Sequence, residues 1–247
     1  MTIRCTIASA LAIFVVAVAG AALARGNDAR GRIVPLSAAR LIIEFNASAE
    51  DIGIQAFLDS GGWREVEIFD PLGAEVFSAE AEGRLLRQGG GTELFLESVE
   101  PGLDELPLDV FFGRFPEGVY KFRGRTPEGD RLVGSARFSH DVPAGPELVS
   151  PVPGAGECAE DVALPAVIEW EPVTTSITGA PIEIVAYEVI VENGGVNFDV
   201  VSPATAGTTV TVPPEVLEPG ADYIFEVLAI EEGGNQTITE GCFATAN

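Results

Sequence analysis

Two stretches of strict alternation constrain this chain more than any other feature. In residues 186–192 and 223–230 the side chains of Tyr187, Val189 and Val191, and of Tyr223, Phe225, Val227 and Ala229, fall on every second position. That spacing puts them on one face of a pleated strand and would scatter them around a helix. Residues 208–212 supply a shorter strand between the two. Pro213-Pro214 and Glu218-Pro219-Gly220 punctuate the stretch, since proline cannot donate to a ladder and glycine reaches turn backbone. Short strands at this spacing predict an antiparallel sandwich.

The first half reads the same way. Residues 41–45, 53–58, 63–69, 93–97, 119–123 and 131–138 are strand-like, with turn chemistry at Asp70-Pro-Leu-Gly73 and Thr126-Pro-Glu-Gly-Asp130. The expectation is an all-β chain of two tandem antiparallel sandwiches, over residues 38–140 and 148–247. The 247 residues, 47% of them apolar, are enough for two cores. One segment departs from period 2: Leu108, Phe111, Phe112 and Phe115 fall at helical spacing, with Asp104 as a cap and Pro107 in the first turn. A short helix near 107–115 is expected, as a plug on the first core or as the lining of a phenylalanine groove. Gln88-Gly-Gly-Gly91 lacks the lysine of a phosphate loop and reads as a flexible hairpin turn.

Charge divides the chain where the pattern does. After Arg137 no Lys or Arg occurs while eighteen Asp and Glu remain, so residues 138–247 carry −18 and residues 1–137 carry −6. Pro143 and Pro146 stiffen the junction, and a semi-rigid proline-rich linker is expected at 141–147. The formal charge of −24 disfavours nucleic acid and anionic membranes as partners.

Residues 1–24 have the form of a cleaved secretory signal: Arg4, an apolar run from Ala8 to Ala22, and a small-residue exit at Ala22-Leu23-Ala24. Residues 25–37 read as a loose leader. Cys5 goes with the signal, leaving Cys158 and Cys242 as an even pair in an oxidising compartment, where one disulfide is expected. No second apolar run is long enough to span a membrane. The location expected is periplasmic or secreted.

Tyr187 and Tyr223 also belong to a recognisable set. Ala166-Val-Ile-Glu-Trp170 followed by Glu171-Pro172, then Tyr187, then Leu217-Glu-Pro-Gly-Ala-Asp-Tyr223 resembles a fibronectin type III domain over about residues 146–247. The resemblance implies that Trp170, Tyr187, Leu217 and Tyr223 are core residues, and that the Tyr223 hydroxyl ties back to upstream backbone. A staple between terminal strands would account for the cysteine pair, which the family pattern lacks. Phe115-Pro-Glu-Gly-Val-Tyr120 echoes the same corner, so the first sandwich resembles an immunoglobulin-like domain. The whole chain resembles bacterial secreted proteins that carry a fibronectin type III domain at the C-terminus. There is no Arg-Gly-Asp to support integrin-type recognition.

For chemistry the inventory is poor. One histidine, His140, and three cysteines are too few for a zinc, haem or iron–sulfur centre, and His140 falls in the linker, expected to face solvent. Oxygen ligands gather at Glu44, Asn46, Glu50 and Asp51, with Asp70 as a further candidate, and calcium is the cofactor such a set would take. The face opposite the second core carries Ile190, Ile224, Leu228 and Ile230 among Glu188, Glu192 and Glu226, which is apolar for an outer face and marks an interface. The expectation is a non-enzymatic binding protein offering loops and this face to a protein or glycan. Two alternatives are a carbohydrate-active hydrolase or its accessory carbohydrate-binding module, and a structural spacer in an envelope or matrix assembly.

Overall fold

Both alternating stretches become strands whose period-2 side chains are buried together. The computed structural model describes residues 31–152, 158–195 and 197–247. The signal-like segment 1–24, Cys5 and leader residues 25–30 lie outside them. In chain order the first part contains β1 (Ile33–Pro35), β2 (Ala38–Asn46), β3 (Asp51–Trp63), β4 (Glu65–Phe69), β5 (Glu75–Glu80), α1 (Gly83–Gln88), β6 (Gly91–Glu97), α2 (Leu108–Arg114), β7 (Gly118–Arg125) and β8 (Arg131–Phe138). The second part contains β9 (Leu148–Ser150), β10 (Ala159–Val162), β11 (Val167–Trp170), β12 (Ile184–Glu192), β13 (Asn197–Pro203), β14 (Thr209–Thr211), β15 (Asp222–Glu231) and β16 (Gln236–Thr245).

These strands form two β-sandwiches that share one sheet. A five-stranded sheet, β1-β8-β7-β4-β5, and a three-stranded sheet, β14-β11-β9, supply one layer each. The opposing layer is continuous, in the order β13-β12-β15-β16-β2-β3-β6, with β10 also paired to β16. The first core gathers Ile43, Ile52, Leu58, Ile68, Tyr120, Phe122 and Phe138 around Phe111 of α2. The second gathers Trp170, Tyr187, Val189, Val191, Leu217, Tyr223, Phe225, Val227 and Phe243.

The tyrosines close their corners with hydrogen bonds to backbone. The Tyr223 hydroxyl accepts from the Glu218 N–H at 2.7 Å, and that of Tyr187 from the Val173 N–H at 2.9 Å. The Tyr120 hydroxyl donates to the Pro116 carbonyl at 3.1 Å, so the corner echoed in the first sandwich is a real one with the bond reversed. Cys158 and Cys242 are joined across a separation of 84 residues, beside the parallel pairing of β10 with β16. Closing a loop that long stabilises the folded chain by about 4–5 kcal/mol in the chain-entropy model.

Several local expectations change. The leader is not loose throughout, because residues 33–35 form β1 and pair in parallel with Arg131–Val133 of β8. Asp104 does not cap α2; Pro107 occupies the N-cap position with no side-chain bond, and Phe111 is the buried contact of the helix. Residues 88–91 are not a hairpin turn but the exit from α1, which the sequence pattern did not show. Gly90 is required there, since its backbone has φ +81° and a Cβ would lie 2.0 Å from the Trp63 carbonyl oxygen.

The largest change concerns segment 141–147, which is pinned rather than hinged. Val142 is buried in the first core, while the Ile177 and Ala144 N–H groups exchange bonds with the Val142 and Thr175 carbonyls. The Thr237 hydroxyl donates to the Pro143 carbonyl at 2.6 Å. Buried Asn235 ties three segments together: its Oδ1 accepts from the Ile43 N–H at 2.8 Å and its Nδ2 donates to the carbonyls of Ser139 and Asp141 at 3.2 and 3.1 Å. Prolines alone set only the local backbone; these partners come from distant residues, Thr237 and Asn235 each lying 94 positions from the group they hold, Pro143 and Asp141.

Asn235→Ala should therefore cost about 3 kcal/mol, because it leaves the Ile43 N–H buried without an acceptor. Urea unfolding is expected to show this loss and to split into two transitions as the sandwiches uncouple. A single unshifted transition would show that the Asn235 side chain does not hold the junction.

Candidate functional site

Alternation that buries one set of residues sends the intervening set to the far side of the shared sheet. The parallel pairing of β16 with β2, Gln236 to Glu44 and Ile238 to Asn46, makes that far side one surface across both sandwiches. On the second sandwich it carries Glu188, Ile190, Glu226, Leu228, Ile230 and Glu240. On the first it carries Arg40, Ile42, Glu44, Gln55, Phe57, Phe95 and Glu97.

The four interface candidates do land on this one surface but differ in access. Ile224 is 50% exposed, Ile190 and Ile230 are half-buried, and Leu228 is only 3% exposed between Glu188 and Ile238. The more accessible apolar side chains are ones the sequence did not single out, Phe95 and Val201, each 60% exposed. A groove of about 740 Å³ opens where the β15–β16 turn overhangs β2 and β3, floored by Ile42, Phe57, Phe95, Val185 and Ile230, with Arg40 at its rim.

Carboxylates border it. Glu44, Glu97 and Glu100 each offer an oxygen within 4.8 Å of the others. Glu44 accepts a short hydrogen bond from Gln236, and Glu97 accepts one from Gln55 at 3.4 Å, so two groove-lining glutamines lead to the acids. Gly53, opposite Glu44 in the register, makes room for the third: a Cβ there would meet Glu100 Cγ at 2.7 Å.

Burial, with like charges crowded around it, shifts the acids of this surface upward. Burial raises the Glu188 carboxyl to about 7, helped by a hydrogen bond and repulsion from Asp199 and by Glu226 and Glu44. Burial likewise raises Glu100 to about 7, with Glu44, Asp51 and Glu97 adding repulsion. Glu44 and Glu226 rise for the same reason, Glu44 despite the bond from Gln236. Asp51 rises through burial and the charge of Glu240. The ion pairs of the described residues, Arg32–Asp130, Arg64–Glu80 and Arg125–Glu65, lie away from this face.

Of the oxygen ligands expected together, Glu44 and Asp51 belong to this acidic region. Asn46 is engaged elsewhere: its Oδ1 accepts from the Ser48 and Ala49 N–H groups and its Nδ2 donates to Glu240 at 2.6 Å. Glu50 sits exposed in the β2–β3 turn at φ +56°. Asp70 caps the β4–β5 turn through the Ala74 N–H at 2.8 Å, on the five-stranded sheet, and does not join the others. Glu97 and Glu100 join instead, because β6 pairs with β3 in a register the sequence does not display. His140 is half-buried rather than free in solvent; its ring stacks on Phe112 at 4.1 Å and its Nε2 lies 2.8 Å from the Phe115 carbonyl oxygen.

No family model matches the chain, and no curated protein matches its sequence. Among solved structures, one similar to it is a tetra-tandem repeat in the extending region of a large adhesion protein, at 12% identity and TM-score 0.30, covering 84% of this chain and 49% of that one. The FN1-FN3 domains of chicken CNTN1 are similar at 10% identity and TM-score 0.34, covering 88% and 66%. A bacterial ice-binding adhesin is similar at 11% identity and TM-score 0.27, again covering 88% and 66%. The chain thus spans between about half and two-thirds of the length of these structures.

The raised carboxyls have a measurable consequence. A folded chain that holds these protons more tightly than the unfolded one loses stability as they leave. Melting temperature is therefore expected to fall as pH rises from the ordinary carboxylate value near 4.5 through about 7. Glu188→Gln should flatten that fall, and added salt should reduce it by screening. A melting temperature that climbs over the same window would contradict the crowding.

Proposed function

We propose that this chain is a non-enzymatic, extracytoplasmic binding protein that meets a protein partner through the outer face of its shared sheet. The observation that carries this reading is the groove on that face, lined by the exposed Phe95, with Val201 and Ile224 exposed elsewhere on the same face. Large apolar side chains in water beside a concave surface mark contact sites. The disulfide fits an oxidising compartment, periplasmic or extracellular. Among the described residues no helix is long and apolar enough to cross a membrane.

Hydrolysis of a glycan fits less well. It asks for two carboxylates on either side of a scissile bond, about 5–10 Å apart, whereas Glu44, Glu97 and Glu100 converge within 4.8 Å on one side of the sheet. A spacer role gives the groove nothing to do. The reading is tested with the chain from residue 25 onward, immobilised in envelope extract. Phe95→Lys with Ile224→Lys should abolish retention of partners, and Val119→Lys at an exposed position of the five-stranded sheet should not. Equal retention by both variants removes the face from consideration.

A second reading gives calcium to Glu44, Glu97 and Glu100, with Asp51 beside them. It is favoured by Asp51 Oδ1 and Glu100 Oε1, which are buried without a hydrogen-bond partner. Melting in millimolar calcium should then rise by several degrees in the wild type and stay flat in Glu97→Gln/Glu100→Gln. An unshifted wild type would exclude the metal.

A further inference from the structure

The groove is apolar along its floor and bordered by acids. Across the sheet, Arg40, Phe57 and Phe95 form one row, Ile42, Gln55 and Glu97 the next, and Glu44 and Gly53 the third, with Glu100 folded over Gly53. The first row therefore sets a cation beside two phenylalanines, with Glu231 and Glu232 lining the groove near Arg40; the second runs from Ile42 to Glu97; and bordering the groove beyond it stand three carboxylates that lack a basic partner in the ion pairs described. The repulsion among those carboxylates, which helps push Glu100 up to about 7, would be relieved by a positive charge placed there.

We propose that the groove receives an extended segment of a partner protein bearing one lysine or arginine followed by apolar side chains, the cation against Glu44, Glu97 and Glu100 and the apolar groups over Ile42, Phe57 and Phe95. This rests on the outer face being the contact surface. The rows are those of a sheet, so a segment lying along the strands presents every second residue to them. The long stem of an arginine or lysine covers apolar surface while its head stays polar, which suits passage over Ile42 toward the acids. The apolar floor of Ile42, Phe57 and Phe95 offers further cations no partner, so a run of basic residues fits worse than a single one. A second copy of the chain presenting the same face would set acid against acid.

The occupant can be tested by amide chemical-shift mapping and fluorescence anisotropy on the chain from residue 25 onward. The probes are an Arg-Ser-Leu-Ser-Leu peptide, its Glu-Ser-Leu-Ser-Leu counterpart and hexa-arginine. The first should bind, perturb β2, β3 and β6, and weaken as salt rises. Glu97→Gln/Glu100→Gln and, separately, Phe95→Ser should each weaken it about tenfold. Both variants change half-buried or exposed side chains, so both should fold: Phe95→Ser should melt with the wild type, and Glu97→Gln/Glu100→Gln no lower, since it removes repulsion.

Hexa-arginine binding more tightly and ignoring Phe95→Ser would overturn the inference in favour of unspecific charge attraction. The glutamate peptide binding equally well on the same strands would overturn the cationic occupant and leave the contact face standing. Perturbation confined to β4, β5, β7 and β8 would overturn both. Failure of the arginine peptide to bind, with calcium raising the melting temperature of the wild type but not of Glu97→Gln/Glu100→Gln, would overturn it and give the carboxylates to the metal.

Discussion

The parallel pairing of three residues, Gln236 to Ile238 against Glu44 to Asn46, organises the rest of the molecule. Without it there are two separate sandwiches, each with its own small outer face and its own edge strand open to water. With it, the edge of β16 that β10 leaves free is covered by β2, and two edges that would otherwise invite foreign pairing are closed at once. So short a ladder is weak by itself. Asn235 reinforces it by pairing a buried N–H of β2 and two carbonyls of the connecting segment, groups that would each cost about 1–3 kcal/mol if left alone.

The same pairing decides the electrostatics. Glu44 comes from the first sandwich and Gln236 from the second, and their hydrogen bond sits at the middle of the joined face. Acids contributed by β2, β6, β12, β13 and β15 then influence one another across the seam: the Glu188 carboxyl in the second sandwich feels Glu44 in the first. A surface arranged for stability alone would have interspersed basic residues, as the five-stranded sheet does with Arg125 and Arg123 opposite Glu65 and Glu67. The outer face of the shared sheet instead retains its repulsion, and that retained field is the physical reason for assigning it a cationic counterpart.

Much of each sandwich was legible in the chain. Period-2 burial identified the inner faces of β12 and β15 residue by residue, and the set Trp170, Tyr187, Leu217 and Tyr223 is buried as a unit. The Tyr120 corner was visible because its flanking Pro and Gly repeat the chemistry of the other corner. Strand β5, Glu-Val-Phe-Ser-Ala-Glu, was not visible, since an edge strand with mixed exposure carries only a faint alternation. The acids grouped along the sequence and those brought together in space differ for a related reason. Glu44 and Asp51 lie close along the chain and across one hairpin, whereas Glu97 and Glu100 arrive by sheet pairing and Asp70 is carried away to the opposite layer.

What the residues determined by themselves is therefore local and periodic: strands, turns, a cysteine pair able to join, and which side of each strand is oily. Alternation records only that a side chain points in or out. It does not record which strand lies alongside, and the edge contact between β16 and β2 links residues about 190 positions apart with three pairs to mark it. Tertiary packing alone chose that neighbour, converting a proline-rich connector into a pinned seam and two outer faces into one grooved acidic surface.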